Sequence, residues 1–453
     1  MDKDTTTTEN NQQVLFNLTP VMDKKIELSF TGEDISSDGG LLLLKECEQQ
    51  TGIIKAISEC LTDGRHQSYV KHSYNEMITQ RVMQIAAGYE DGNDCNSLRG
   101  DNILKLCSGL RPTDNDLASQ PSMSRLENTP GAKTLYRMAE AFLEGFVSSY
   151  PKEPAVIILD LDDTDSIVYG TQQLALFNDY YGDYCFMPLH IYEGTSGKLV
   201  TTILKPGRRS KGADVFAIIW RVVDRLRSHW KNTKIIVRGD SHFCSHQFMD
   251  WCADKGNVHF ITGLTGNSAL KKLSDITVES AQREFAQTKM PVKRYHSFGY
   301  KAESWDRAQR VVVKVEVTEK GQNIRYIVTD MRQWRTKHLY EKGYCARGAM
   351  ELRIKEHKLY LQSDRMSCTS FKANQFRLFL HSAAYVLMHT LQTEMLQATE
   401  FAKSTFKTIR EKIIKVAAYV KEMKTKIKVE FSAHCPQIKV ISRCLALFEV
   451  LQT

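Results

Sequence analysis

Val156-Ile157-Ile158-Leu159-Asp160-Leu161-Asp162-Asp163-Thr164 is the stretch of sequence that decides the fold. Its first residues are apolar, which predicts a buried strand, and the strand ends in acids. Because side chains alternate along a strand, Asp160 and Asp162 lie on the same face. A buried carboxylate is unfavourable unless it is compensated, and divalent cations prefer carboxylate oxygens. The stretch therefore predicts a metal-binding acid at the end of a core strand.

A second acid, Asp240, ends another apolar strand, Ile235-Ile236-Val237-Arg238-Gly239. Two acids at strand ends in one sheet can face the same cation. Each acid alone is also typical of a turn residue after a strand or of a helix cap. Their combination favours a shared metal site.

The surrounding pattern predicts an α/β core. The expected elements are strands at about 155–162, 184–192, 198–204 and 234–239, a helix at about 213–229 before the last of these, then a helix at about 245–255 and a short strand at 258–262. The order β, β, β, α, β fits a mixed sheet of the ribonuclease H kind, in which three early strands meander before the chain crosses over.

Changes of period and composition predict the domain boundaries. The expected parts are a polar, loose tail at 1–30, a helical domain at 31–150, the first part of the core at 151–264, a β-rich insertion at 265–335, the second part of the core at 336–395, and a basic helical region at 396–453. Within the last part we expect a basic helix at about 401–420, and a helical pattern that continues to about Lys428.

A third carboxylate, Glu351, lies in a stretch with helical period between Tyr344 and Lys358. At about 100° per residue, these three residues and Arg347 fall within an arc of roughly 60°. One face would thus carry a carboxylate beside cations, which suits a metal ligand flanked by phosphate contacts. A surface helix with an Arg347–Glu351 ion pair would give the same pattern.

Charge and composition indicate a nucleic-acid partner for a cytosolic chain. The net charge is +8, and residues 401–430 carry nine Lys or Arg against three Glu. A second basic cluster, 205–211, includes Arg208 and Arg209, two candidate DNA-binding residues. Such patches suit a phosphate backbone, although each alone is also typical of a solvated surface. Eleven scattered cysteines without a C-x-x-C pair predict reduced thiols, and the absence of long apolar runs predicts no membrane segment.

The chain resembles the DDE transposases of bacterial insertion sequences. The spacing of Tyr344, Arg347, Glu351 and Lys358 matches the signature of the insertion sequence 4 superfamily. The segments 37–44, 117–128, 159–165 and 238–243 look like the insertion sequence 1380 group within it.

This resemblance implies a ribonuclease H-like core with a β insertion between the second Asp and the Glu. It implies that Asp162, Asp240 and Glu351 hold two Mg²⁺ ions, for which Mn²⁺ can substitute. Tyr344, Arg347 and Lys358 would contact the DNA backbone, as the resemblance also implies. Asp160 is then a candidate to support the ligands, and His242 either assists proton transfer or forms a hydrogen bond in the core.

The implied function is cleavage of double-stranded DNA at transposon ends followed by strand transfer into target DNA. The helical domain would recognise the terminal inverted repeats, and two copies of the chain would assemble on DNA. We expect a bacterial cytoplasmic protein that associates with the nucleoid when it acts. Trp305 or Trp334 in the insertion is a candidate for stacking an exposed terminal base, whereas a Trp in a β region is also typical of a core.

Two alternatives remain open from sequence. Asp160-Leu161-Asp162-Asp163-Thr164 also matches the opening motif of haloacid dehalogenase-like phosphatases, in which the first Asp is the nucleophile. The second alternative is a catalytically inactive DNA-binding protein descended from a transposase.

Overall fold

A computed structural model describes residues 16–28, 34–208 and 212–452 of the 453-residue chain. Strands β1 (Phe16–Val21) and β2 (Lys24–Leu28) form an antiparallel hairpin. This hairpin lies within the tail at 1–30 that we expected to be loose, so the expectation is wrong for 16–28. Residues 1–15 and 29–30 of that tail lie outside the described residues.

The region before the central sheet is helical, as its apolar spacing predicted. It contains a short strand β3 (Ile35–Ser36) and helices α1 (Leu41–Thr51), α2 (Ile53–Glu59), α3 (Tyr74–Ala87), α4 (Asp94–Leu98), α5 (Asn102–Cys107), α6 (Gln120–Glu127) and α7 (Ala132–Ser148). The start of α1 packs closely on the C-terminal region, because a Cβ at Gly40 would collide with the carbonyl oxygen of Ile413. Asp38 accepts hydrogen bonds from Tyr89 and from Lys415.

An eight-stranded mixed sheet forms the centre of the molecule. The strands from here to residue 329 are β4 (Val156–Asp163), β5 (Ser166–Ile167), β6 (Leu176–Asn178), β7 (Asp183–Phe186), β8 (Leu189–Glu193), β9 (Leu199–Ile203), β10 (Lys234–Gly239), β11 (Val258–Leu264), β12 (Val292–Tyr300), β13 (Gln309–Thr318) and β14 (Gly321–Thr329). The large sheet has the order β12-β13-β14-β11-β10-β4-β8-β9, with β10 parallel to both β4 and β11 and every other pair antiparallel. β5, β7 and β6 form a separate small sheet.

Three helices, α8 (Gly212–His229), α9 (His246–Lys255) and α10 (Ser268–Thr288), accompany this sheet. α8 and α9 connect the strands in the predicted order, and α8 buries an apolar stripe that includes Val215, Ile219 and Leu226. α10 was missed, because only Leu270, Ser274 and Ala281 are buried along its 21 residues and the apolar period is weak. The region 265–335 is therefore not wholly β-rich, and its strands extend the main sheet through the β11–β14 pair.

A composite helical segment runs from Thr336 to Tyr360. It consists of α11 (Thr336–His338), a π-helical turn (Leu339–Tyr344), a 3₁₀ turn (Cys345–Arg347), α12 (Gly348–Lys355) and a second π-helical turn (Glu356–Tyr360). Because π and 3₁₀ turns differ from the α-helix in residues per turn, side chains along the segment do not keep a spacing of 100°. The uniform spacing of 100° per residue, from which one face was predicted for residues 344–358, therefore does not apply to this segment.

The next helix, α13 (Phe371–Thr390), is buried along most of its length and contacts both the N-terminal helices and β9. It continues into a π-helical turn at Leu391–Met395. Its central position explains why the N-terminal helices share one hydrophobic core with the region after residue 350.

The C-terminal region is only partly helical. It contains α14 (Phe406–Ile409), a π-helical turn (Arg410–Ile414), strands β15 (Ala418–Glu422) and β16 (Ile427–Phe431), and α15 (Ile438–Gln452). The basic helix expected at 401–420 is thus helical only at 406–414, and the helical pattern expected up to Lys428 is replaced by strands from Ala418 onward. The cause is pairing of β15 with both β16 and β3, a contact between distant parts of the chain. Three apolar side chains of the short helical stretch, Phe406, Ile409 and Ile413, are buried.

The eleven cysteines are free thiols, as predicted. In the described ranges, no helix combines the length and the apolar character that crossing a bilayer requires.

Candidate active site

The register of two parallel strands places the predicted acids opposite one another. β4 pairs with β10 so that Asp160 is the partner of Arg238. Asp162 lies two residues farther along β4, and Asp240 directly follows the end of β10, so continuing the same register by two residues sets these acids side by side. Neighbouring strands lie about 4.8 Å apart, so the two carboxylates share one edge of the sheet. We call Asp160 and Arg238 the inner pair, and Asp162 and Asp240 the outer pair.

The inner pair is a closed ion pair in the core. Arg238 donates from Nε and Nη2 to the two carboxylate oxygens of Asp160 at 2.5 and 2.7 Å. Arg238 Nη1 donates to the carbonyl oxygen of Gly343 at 2.6 Å, which attaches the composite helix to the sheet. A Cβ at Gly194 would lie 2.6 Å from Asp160 Oδ2, so only glycine fits beside the pair. Asp160 therefore has a structural role beneath the predicted site.

The outer pair carries unbalanced negative charge. Arg347 Nη1 donates to Asp162 Oδ2 at 3.0 Å. Burial and the nearby charge of Asp240 raise the pKa of Asp162 to about 6, although the charge of Arg347 acts in the opposite direction. Burial opposes the charge on Arg347, but Asp162 and Asp240 outweigh it and raise the pKa of its guanidinium. The single guanidinium of Arg347 thus interacts with two carboxylates, those of Asp162 and Asp240.

Tyr344 completes this group. Its ring lines a cavity of about 200 Å³ together with Asp240, Ser241, Gly263 and Tyr340. Burial raises the pKa of the Tyr344 hydroxyl, and Asp240 adds to the effect. Of the predicted site residues, the structure therefore brings Asp162, Asp240, Arg347 and Tyr344 together.

Glu351 does not join this group in the structure. The composite helix is fixed on the sheet at Gly343 and at His357, whose Nδ1 shares a hydrogen bond with the hydroxyl of Tyr192. Between these points Glu351 is exposed to solvent. Over the described ranges, no cluster of three or more His, Cys, Asp or Glu is arranged to hold a metal ion. The role of Glu351 as a metal ligand stays a prediction.

Lys358 and His242 both make contacts beside the outer pair. Lys358 Nζ donates to Asp165 Oδ1 at 2.8 Å and to Thr164 Oγ1 at 3.2 Å. His242 Nε2 lies 3.3 Å from Asp163 Oδ2, and Lys205 Nζ donates to Asp163 Oδ1 at 2.6 Å. Burial alone would raise the pKa of Asp163, but these two neighbours outweigh it and hold the pKa below its usual value.

The other candidate residues for contact with DNA are held by other parts of the protein. Arg208 is largely exposed, 3.9 Å from Asp214, whereas Arg209 lies outside the described residues. Trp305 is buried and packs edge-on against Tyr300, so it is part of the hydrophobic core. Trp334 is half-buried against His338.

The donor set of the outer pair fits a divalent cation. Two carboxylates are the oxygen ligands that Mg²⁺ and Mn²⁺ accept, and the raised pKa of Asp162 shows that negative charge there is unfavourable without further compensation.

A family model described as "Transposase DDE domain group 1" matches residues 18–453. The chain belongs to this transposase family. A search among curated proteins gave no significant match. Among solved structures, the transposase is similar to one titled "Cryo-EM structure of piggyBac transposase synaptic complex with hairpin DNA (SNHP)". The two share 10% identity with a TM-score of 0.45, over 85% of this chain and 82% of that one.

The inner pair also removes the basis of the phosphatase alternative. In that alternative Asp160 would be the nucleophile, but both of its oxygens are bound by Arg238 and its side chain is 1% exposed. The transposase therefore has no accessible nucleophile at this position.

Three residues of the transposase site were missed by sequence reasoning. They are Arg238, which fixes the composite helix, Lys205, which neutralises Asp163, and Gly194, which makes room for the inner pair. Arg238 carried a usable signal, because an Arg inside the apolar run 235–239 needs a buried partner and Asp160 occupies the equivalent place in β4. Gly194 carried none, and Lys205 was noticed only as a member of the basic cluster 205–211, because its contact with Asp163 joins distant parts of the chain.

Proposed function

We propose that the chain is an insertion-sequence transposase that cleaves DNA at transposon ends and joins the ends to target DNA. The observation that carries the proposal is the outer pair, two carboxylates at the ends of neighbouring parallel strands that share Arg347. Membership of the insertion sequence 4 superfamily and of its 1380 group is part of the same proposal.

We further propose that the core is ribonuclease H-like. Strands β9-β8-β4-β10-β11 lie side by side, with the first three antiparallel and the last two parallel to β4. That arrangement is a meander of three strands followed by two crossovers through α8 and α9, which supports the assignment. The outer pair then lies where the first and fourth strands of the core end.

In the proposed site, Asp162 and Asp240 hold divalent cations, and Glu351 is the proposed third ligand. When bound, two Mg²⁺ ions, for which Mn²⁺ can substitute, would neutralise charge at the phosphoryl group and activate the attacking oxygen. Arg347 neutralises one carboxylate and can donate to a phosphate oxygen through its remaining N–H groups. Arg238 holds the backbone of Gly343, and so fixes the position of Tyr344 and Arg347 over the acids.

Double-stranded DNA is the proposed partner, and three basic surfaces support this. One is a groove of about 1220 Å³ in the N-terminal helices, lined among others by Arg65, Lys71, Arg99 and Arg125. The others are Arg208 and the exposed lysines of the β15–β16 hairpin: Lys421, Lys424, Lys426 and Lys428. We assign recognition of the inverted repeats to the N-terminal helices, and propose that two copies assemble on DNA near the bacterial nucleoid.

Cleavage of a labelled transposon-end duplex in Mn²⁺ tests this function. We expect Asp162→Asn, Asp240→Asn and Glu351→Gln each to reduce strand cleavage about 10³-fold or more, since several kcal/mol of charge stabilisation are lost. Glu303→Gln, another exposed glutamate, is the matched control and should cut like the wild type. Equal cutting by all three active-site variants would refute the site, and loss of cutting only in the two Asp variants would remove Glu351 from it.

A further inference from the structure

The small sheet of β5, β6 and β7 exposes an unusual set of aromatic side chains. Four of its residues and neighbours are more than half exposed: Tyr169 (90%), Tyr180 (84%), Tyr184 (56%) and Phe177 (51%). Phe177 and Tyr184 contact each other edge-on at 5.6 Å between ring centres, as do Tyr180 and Tyr181 at 4.9 Å. Large exposed apolar groups that cluster in this way mark a binding surface more often than isolated ones do. We call residues 166–186 the aromatic sheet.

The aromatic sheet lies beside the outer pair. It follows directly after the strand that carries Asp162, and Thr164 and Asp165 at the junction are bound by Lys358. Tyr169, one of the exposed rings, lines a cavity of about 580 Å³ together with Asp165 and Lys358. A strand of DNA held at the acids would therefore reach these rings.

A basic segment borders the same sheet. Asn178 Nδ2 donates to the carbonyl oxygen of Gly207 at 2.7 Å, and Phe186 forms a β-bridge with Pro206. These contacts fix the backbone just before Arg208, whose side chain is 68% exposed. Aromatic side chains next to a cation are the combination that binds single-stranded nucleic acid, in which bases stack on rings and phosphates meet the cation.

We propose that the aromatic sheet binds unpaired bases of the DNA strand whose end lies at the outer pair. This inference rests on the proposed function for its ligand. It assigns stacking to Tyr169 and Tyr180, instead of to the buried Trp305. Because Asp179 and Asp183 lie in the same sheet and repel phosphate, stacking rather than charge provides most of the affinity.

Binding of fluorescent poly(dT) measured by anisotropy tests the inference on the full-length protein. We expect Tyr169→Ala/Tyr180→Ala to weaken binding about tenfold or more, because the bases lose the rings on which they stack. Tyr169→Phe/Tyr180→Phe should bind like the wild type, since the rings remain. Tyr136→Ala, at a half-exposed tyrosine on α7, is the control and should have no effect. All these side chains are exposed, so the variants should fold.

The same assay separates this inference from the proposed function. Asp162→Asn should bind poly(dT) like the wild type although it does not cut, because stacking does not need the acids. Equal binding by the wild type and the double-alanine variant would overturn the inference whatever the cleavage assay shows. It would also be overturned if that variant kept its affinity for poly(dT) but lost self-association in sedimentation, because the surface would then bind a second copy of the chain.

Discussion

The inner pair and the outer pair occupy the same two strands two residues apart, but their charges are balanced differently. In the inner pair one carboxylate meets one guanidinium, and the side chains of Asp160 and Arg238 are 1% and 2% exposed. In the outer pair two carboxylates share Arg347, and the side chains of Asp162 and Arg347 are 18% and 14% exposed. In the inner pair the two opposite charges cancel within the protein. The outer pair has two carboxylates and only one guanidinium, that of Arg347, beside it.

This difference indicates how one strand pair can serve both stability and chemistry. A buried ion pair fixes geometry but has no free oxygen with which to hold a ligand. At the rim of the sheet, burial and the neighbouring charge of Asp240 disfavour the ionised form of Asp162, and a bound cation would offset that cost. In the proposed site, the inner pair thus fixes the position of the composite helix, and the outer pair is left to bind the cation.

The largest expected effect on stability comes from breaking the inner pair. Arg238→Met leaves Asp160 buried without a counter-charge, so the free energy of unfolding should fall by about 3–5 kcal/mol. Urea denaturation measures this. The double variant Asp160→Leu/Arg238→Met should recover most of the loss, because it leaves no buried charge unpaired. A single variant as stable as the wild type would show that the pair has no structural role.

Removing one negative charge from the outer pair should increase the free energy of unfolding. The pKa of Asp162 is raised from 3.8 to about 6, so ionisation of this carboxylate opposes folding. Asp162→Asn should therefore stabilise the protein at pH 7 by up to about 3 kcal/mol, at 1.36 kcal/mol per pH unit. The wild type should lose stability relative to the variant as pH rises from about 4 to 6, and the two should agree below that window. Urea denaturation of the wild type and of Asp162→Asn across this pH range shows which of the two is more stable.

A smaller effect should follow from removing the other acid. Because the charge of Asp240 contributes to the raised pKa of Asp162, Asp240→Asn should lower that pKa toward 3.8, an effect of about 1 kcal/mol. Carbon-detected NMR of the carboxyl group follows the titration. Asp254→Asn, at an exposed acid paired with Arg307, should leave it unchanged. An unaltered pKa in Asp240→Asn would mean that the two acids do not interact.

The smallest expected effect is that of Lys358. Its contacts with Thr164 and Asp165 are at the rim of the sheet, so Lys358→Met should reduce the free energy of unfolding by less than about 1 kcal/mol. Lys55→Met, at an exposed ion pair on α2, gives the reference value for a surface lysine. A loss as large as that of Arg238→Met would place Lys358 with the inner pair.

Sequence reasoning predicted the strands that carry these pairs, because β4 and β10 are apolar runs whose acids fall at their ends. The strands of the main sheet and the two helices between residues 155 and 262 were also predicted in order. The strand expected at 184–192 is, however, divided into β7 and β8, which belong to different sheets, and β5 and β6 were not predicted. That Asp162 and Asp240 share one edge was predicted from two acids at strand ends, and the register that pairs Asp160 with Arg238 supports this placement.

The parts that sequence could not give depend on non-local contacts or on irregular backbone. The π and 3₁₀ turns around Arg347 break the ideal spacing of 100° per residue. That ideal spacing placed Glu351 on one face with Tyr344 and Arg347, which it does not join in the structure. The β15–β16 hairpin exists because β15 pairs with β3, more than 380 residues earlier. The aromatic sheet, which contains only short strands, has too little period to be recognised.

The central claim is that the outer pair holds the cation, and Mn²⁺ binding measured by electron paramagnetic resonance tests it most directly. We expect Asp162→Asn and Asp240→Asn to weaken Mn²⁺ binding by at least about tenfold, because even a residue that only supports a ligand contributes that much. Glu303→Gln should bind like the wild type. Mn²⁺ affinity that is the same in the wild type and in both Asp variants would contradict the account.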